Sequence, residues 1–361
     1  EVGGRTSHSA ILARAMEVPA VLSIENICSI AKNGDKVVLD GTSGEAILNP
    51  DDETVEKFKK MYSDYQNEKA LLKEYAGKPS QTKDGVKVEL VCNIGKPADA
   101  NKAVECDGEG IGLFRTEFIF MGRNTFPSED EQFEIYKKAV EKMGGKRVII
   151  RTVDIGADKK VDYFNIPHEE NPALGYRAIR ICLDRVNIFK VQLRAILRAS
   201  HYGKAALMFP MICTLEELRK AKNILNEVKL ELDFESVPYD RNIEVGIMVE
   251  TPSAALISES LAKECDFFSI GTNDLTQYTL AVDRQNNMVN SKFDTDHESI
   301  LRLIHFTAQS AKKEGIWVGI CGELGADKRL TEKFIKWGIE ELSVSPVYKL
   351  SLRKHITEME F

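Results

Sequence analysis

Eight short apolar runs, with helical patterns in nearly every gap between them from residue 81 to 361, predict an α/β chain whose main body is a (β/α)8 TIM barrel. The runs are VKVELVCNIG (86–95), GIGLFRTE (110–117), RVIIRTVDIG (147–156), ALMFPMI (206–212), IEVGIMVET (243–251), FFSIGTND (267–274), IWVGICGE (316–323) and ELSVSP (341–346). A doubly wound open sheet is the competing arrangement of the same alternation. The barrel is preferred, and the position of the polar residues supplies a second observation. They gather at the C-terminal ends of the runs, the face on which barrel enzymes build their sites.

The elements before the barrel follow in order. Residues 1–49 read as part of a small α/β unit: a helix over Ser9–Glu17 stopped by Pro19, then the β-rich runs AVLSI (20–24) and KVVLDGTSGEAILN (36–49), the second broken by a turn. Residues 51–76 are charged and helical, with Val55, Phe58, Met61, Tyr62, Tyr65 and Leu72 at helical spacing, and GKPS (77–80) ends the run. A linker helix and a helix packed on a neighbouring domain fit this stripe equally well. The expected division is therefore 1–49, 50–80 and 81–361.

Composition narrows the function classes. A chain of 361 residues that is 43% hydrophobic can bury a large core. No stretch reaches the roughly 20 apolar residues of a membrane helix, and the net charge of -7 argues against a nucleic-acid surface. Seven scattered cysteines without a CxxC suggest neither a disulfide framework nor a zinc site, as expected of a cytoplasmic protein. The chain opens at Glu1, inside a motif, so it is expected to be part of a longer polypeptide.

Arg115 closes the second run, Arg151 the third, Glu250 the fifth, Asn273 and Asp274 the sixth and Cys321 the seventh, while Arg284 follows ten residues after Asp274. Taken singly, a strand-end arginine is by default a surface ion pair. Together, converging arginines suit a ligand with a carboxylate and a phosphate, because guanidinium groups bind both bidentately. Glu250 and Asp274 offer hard oxygen donors for Mg2+, which commonly combines one or two carboxylates with substrate phosphate and water. The pattern predicts a small anionic phosphoryl ligand.

His8 lies in GGRTSH at the start of the predicted helix. Gly3 and Gly4 permit close backbone approach, Thr6 and Ser7 can cap the helix or bond the imidazole, and the helix N-terminus favours added negative charge. The same positive end disfavours imidazolium and leaves a ring nitrogen free to attack phosphorus. By default such a histidine is merely exposed and polar. The other five histidines keep that reading.

GGRTSHSAILAR (3–14), GIGLFRTEFIF (110–120), RTVDIGADK (151–159), ENPALGYRAIR (170–180), GIMVETPSAA (246–255), SIGTNDLTQYTLAVDR (269–284) and GICGELGAD (319–327) together resemble enzyme I of the bacterial sugar phosphotransferase system. The resemblance spans essentially the whole chain. It implies that His8 is phosphorylated by phosphoenolpyruvate, that Arg115, Arg151, Asn273, Asp274 and Arg284 contact this substrate, that Glu250 and Asp274 bind Mg2+, and that Cys321 is the proton donor yielding pyruvate. Lys159 and Arg177 are further candidate phosphate contacts. It implies also onward transfer to a histidine phosphocarrier protein, a swing of the His8 domain, hinged in part at 51–80, and dimerisation through the barrel. Relative to that family the sequence is expected to lack the carrier-binding domain, the strands before GGRTSH and part of the C-terminal helices, on which carrier transfer and native folding of 1–49 depend. Pyruvate phosphate dikinase and phosphoenolpyruvate synthase share most of these motifs. A module that only senses phosphoenolpyruvate is the non-enzymatic rival, opposed by the presence of both His8 and Cys321.

Overall fold

Each of the eight predicted runs holds all but at most one residue of one strand of a closed parallel barrel. The computed structural model describes residue 13 and residues 18–156, 161–286 and 288–361. These fall into two units, one of residues 1–76 with 280–294 and one of residues 77–279 with 295–361.

In the first unit, β1 (Val37–Asp40) and β2 (Glu45–Leu48) form an antiparallel hairpin with Val37 opposite Leu48. Its turn is set by Asp40, whose carboxylate accepts from the backbone N–H groups of Thr42 and Ser43, and by Gly44 at φ +78°. The charged segment is one continuous helix, Asp52–Leu72, capped by Asp51 accepting from the Thr54 N–H at 2.8 Å. The helix buries none of its residues fully, and Val55, Phe58 and Tyr62 line a shallow groove with Val38 and Leu39 of the hairpin. AVLSI is not a strand: among the described residues no neighbour pairs with it, and an extended run without a partner leaves its backbone groups to water. The predicted helix Ser9–Glu17 lies outside the described residues, apart from Ala13.

The second unit is the barrel, formed by β3 (Glu89–Ile94), β4 (Ile111–Arg115), β5 (Val148–Arg151), β6 (Ala205–Phe209), β7 (Glu244–Val249), β8 (Phe267–Ile270), β9 (Trp317–Ile320) and β10 (Glu341–Val344). Neighbours in sequence are neighbours in the sheet, and β10 returns to β3 with Leu342 opposite Leu90. Closure decides between the two sheet arrangements left open by the alternation of elements. β5, β6, β8 and β10 are buried at every position, as near-continuous apolar strands covered on both faces must be. Leu113, Ile149, Ala206, Met208, Met248, Phe267 and Cys321 fill the interior. Each large side chain buried there contributes about 1.5–3 kcal/mol.

The outer helices begin at sequence-coded caps. Ser128 and Thr214 each form a capping box, with Glu131 and Glu217 respectively, at the starts of Glu129–Lys142 and Leu215–Phe234. No helix among the described residues is long and apolar enough to cross a membrane.

Candidate active site

The charged residues at the C-terminal ends of the strands are buried together. Arg151 ends β5 and is 5% exposed; its Nη2 donates to Glu117 Oε1 at 2.9 Å and lies 3.2 Å from Asp154 Oδ2. Its Nη1 rests 3.6 Å from the Met248 sulfur, so the guanidinium sits directly on the apolar filling of the barrel. Arg177, also 5% exposed, donates through Nη2 to Asp154 Oδ1 at 2.8 Å and through Nη1 to Tyr278 Oη at 3.2 Å, with Asp274 Oδ2 at 3.9 Å. Burial opposes the charge on both arginines, but the surrounding carboxylates, Asp154 and its neighbours, overcome it and hold both protonated. Arg151 Nε and Arg177 Nε find no acceptor among the described residues, so each guanidinium keeps donor capacity for an anion.

Glu250 follows β7 and accepts from the Met211 N–H at 2.7 Å. Met211 holds φ +58°, unusual for a side chain with a Cβ, and this strained turn after β6 is what aims the N–H at Glu250. Burial first, then the negative charge of Asp274 and Asp154, pushes the Glu250 carboxyl up to about 8. The adjacent Thr251 caps the helix Pro252–Leu256, which fixes where β7 ends. Asp274 lies in the first turn of the helix Thr272–Leu280, which starts immediately after β8 because Gly271 leaves room: a Cβ there would stand 2.9 Å from that of Glu250.

Cys321 directly follows β9, 6% exposed, with its N–H donating to the Ile270 carbonyl at 3.1 Å. Burial pushes its thiol up to about 12, the nearby Ser269 side chain opposes, and Glu250 and Arg151 act on it from the rim, while the thiol itself donates to the Ile270 carbonyl at 3.6 Å. The glycine beside it is required by packing. A Cβ on Gly322 would meet Thr272 Oγ1 at 1.8 Å, so that position serves the packing of β9 against the helix after β8. Asn273 accepts from the Glu323 N–H at 3.4 Å, joining the same two loops.

Arg115 ends β4, half-buried, with its guanidinium 5.2 Å from the Phe118 ring centroid. Thus Arg115, Arg151, Glu250, Asn273, Asp274 and Cys321 all stand at the predicted end of the barrel, and Arg177 joins them. Arg284 lies on the 280–294 segment, which groups with the first unit. His8 and Lys159 lie outside the described residues.

Glu117 and Asp154 were not singled out in the sequence, although both stand within quoted motifs. Gln192 was invisible there. It reaches in from the helix Val186–Ser200, accepts from the Val153 N–H at 2.9 Å and donates to Thr116 Oγ1 at 3.1 Å, while Thr116 donates to the Arg151 carbonyl at 2.8 Å. This buried network fixes the ends of β4 and β5 against each other. Among the described residues no cluster of three or more His, Cys, Asp or Glu forms a ready metal cage. The arrangement is a buried charge cluster that combines two guanidinium groups able to take an anion, two carboxyl groups able to act as oxygen donors, and one thiol held protonated.

Residues 69–361 match the family model for the PEP-binding domain of PEP-utilising enzymes, where PEP is phosphoenolpyruvate, and residues 1–44 match the model for their mobile domain. Similar curated proteins are the phosphoenolpyruvate-protein phosphotransferases of Priestia megaterium and Bacillus subtilis, each 47% identical over 99% of this chain, and that of Haemophilus influenzae, 46% identical over 100% of it. The chain spans 63% of the length of each of these relatives.

Proposed function

The chain belongs to the PEP-utilising enzymes, and from that membership we propose that it carries the phosphoenolpyruvate site and the acceptor histidine of a phosphoenolpyruvate-protein phosphotransferase. The observation that carries this reading is the buried meeting of Arg151 and Arg177 with Glu250, Asp274 and Cys321 at one end of the barrel.

Residues 81–361 bind the substrate, residues 1–49 carry His8, and 50–80 connect them. Arg151 and Arg177 hold the phosphate and carboxylate, with Arg115, Asn273, Arg284 and Lys159 as further contacts. Already held rigid by Glu117 and Asp154, the guanidinium groups lose little freedom when substrate arrives. The His8 ring nitrogen attacks phosphorus, the N–P bond forms and the bond to the enol oxygen breaks. The enolate takes its carbon-bound proton from Cys321, and pyruvate leaves. A thiol held protonated by burial is present as a donor throughout the neutral range.

The residues fit Mg2+. Glu250 and Asp274 are hard oxygen donors, and the anionic crowding that raises the Glu250 carboxyl is relieved by a divalent cation. The ion would neutralise charge on the phosphoryl group as it transfers. In the whole protein His8 then passes its phosphoryl group to a histidine phosphocarrier protein in sugar uptake, the domain that carries it swinging between the two partners. Cytoplasmic residence and dimerisation through the barrel complete the proposal.

Titration calorimetry with phosphoenolpyruvate and Mg2+ tests the site. Arg151→Ala and Arg177→Ala should each weaken binding at least thirtyfold, whereas Arg219→Ala, whose exposed side chain pairs with Glu264, should not. Equal affinities for all three variants would contradict the assignment.

A further inference from the structure

Cys92 and Cys106 take no part in the site described above, yet their sulfur atoms lie 3.5 Å apart, in contact. We propose that they form a redox-responsive dithiol that closes into an intrachain disulfide when the protein meets a hydroperoxide.

The geometry suits the two roles such a pair needs. Cys92 lies inside β3 and is fully buried, whereas Cys106 ends the helix Asp99–Glu105 and is partly exposed. A peroxide can therefore reach Cys106 first, with Cys92 waiting behind it. Closing the bond requires an approach from 3.5 Å to about 2.05 Å. Both sides can give. The register of β3 against β4 shifts between Cys92 and Asn93, and Asp107, directly after Cys106, turns the backbone at φ +57°. Gly108 clears the space, since a Cβ there would stand 3.1 Å from the Cys92 sulfur.

Charge around Cys106 favours reactivity. Lys349 donates to the Asp107 carbonyl, Arg353 pairs with the Asp107 carboxylate, and Lys146 lies 4.0 Å from that carboxylate. The contact between the two sulfur atoms lowers the Cys106 thiol from its ordinary value against the effect of burial, and Lys349 adds to this, while the same contact and burial push the Cys92 thiol up. The thiolate attacks the terminal oxygen of the hydroperoxide: the S–O bond forms, the O–O bond breaks, and the alkoxide leaves as alcohol after taking a proton from water. Cys106 is then a sulfenic acid, oxidised by two electrons, and the peroxide is reduced. Cys92 gives up its proton as its sulfur attacks that of Cys106. The S–S bond forms, the S–O bond breaks, and the hydroxide departs as water with the proton from Cys92.

Peptide mapping of the full chain after stoichiometric hydrogen peroxide tests the proposal. A peptide joining Cys92 to Cys106, two hydrogens lighter than its reduced parts and separated again by dithiothreitol, should form in most molecules. Cys106→Ser should abolish it, and Cys92→Ser should leave a sulfenic acid on Cys106 that dimedone captures. If a variant fails to fold, the wild-type map alone decides. Sulfinic acid on Cys106 with Cys92 still a thiol, or either cysteine linked between chains, or neither oxidised, would overturn the proposal.

Discussion

Arg151 Nη2 and Glu117 Oε1 stand 2.9 Å apart with both side chains 6% exposed, so an ion pair removed from water fixes the guanidinium at the end of β5. Taking two charges out of water costs several kcal/mol, which their attraction offsets only with further partners. Here Asp154 and Met248 supply them. The pair is therefore better explained by positioning than by stability.

The first prediction follows from that balance. Glu117→Ala leaves a buried guanidinium with one carboxylate fewer and should cost about 3–5 kcal/mol in a denaturant melt. Glu117→Gln keeps an acceptor and should lose less stability. Both should weaken phosphoenolpyruvate binding, since Arg151 is no longer held in place. Affinity unchanged in both would show that Arg151 needs no such support.

A second concerns Cys321. Cys321→Ala should still bind phosphoenolpyruvate with Mg2+ within about threefold of wild type, because binding rests on the arginines, yet slow turnover by at least 100-fold, in the range typical of a lost proton donor. It should also lose enzyme-catalysed deuterium exchange at the pyruvate methyl group. Exchange at the wild-type rate would return Cys321 to the apolar filling of the barrel.

The metal donors give a third. Glu250→Ala and Asp274→Ala each remove one of few protein oxygens, so the Mg2+ concentration for half-maximal turnover should rise by at least tenfold in both. Identical Mg2+ titration curves would place the ion elsewhere.

The eight strands were legible because burial on both faces leaves apolar runs that polar helices interrupt. The meeting of the rim residues was legible for a related reason: a barrel brings the C-terminal ends of its strands to one face, so polar residues that close several runs must gather there. Residues whose contacts come from distant elements were not. Gln192 sits on an outer helix at a spacing that any surface glutamine shares, and only the folded chain brings it to Val153 and Thr116. AVLSI failed for the opposite reason, since strand propensity without a partner strand is not a strand. Gly322 likewise shows its reason only in the fold, where Thr272 stands against it.

The other end of the barrel supplies a prediction about pH. Glu341 is 1% exposed and shares Arg147 with Glu89 and Glu244, while Trp317 stacks beneath the guanidinium at 4.0 Å. Burial pushes its carboxyl up to about 7, against the pull of Arg147. The folded state therefore binds more protons than the unfolded state between about pH 4.5 and 7. Stability attributable to this group falls as pH rises through that window, and the loss is complete above it. Glu341→Gln should flatten this part of the stability profile, followed by denaturant melts at stepped pH. An unaltered slope would show that Glu341 ionises freely in the fold.

The central claim, that the barrel delivers the phosphoryl group of phosphoenolpyruvate to His8, is tested most directly by incubating the intact protein with phosphoenolpyruvate labelled in its phosphate, with Mg2+, and mapping the label. An acid-labile label on the peptide bearing His8, absent from His8→Ala although that variant still binds phosphoenolpyruvate, is the predicted result. Label on another histidine, or none on a protein that binds phosphoenolpyruvate normally, would contradict it.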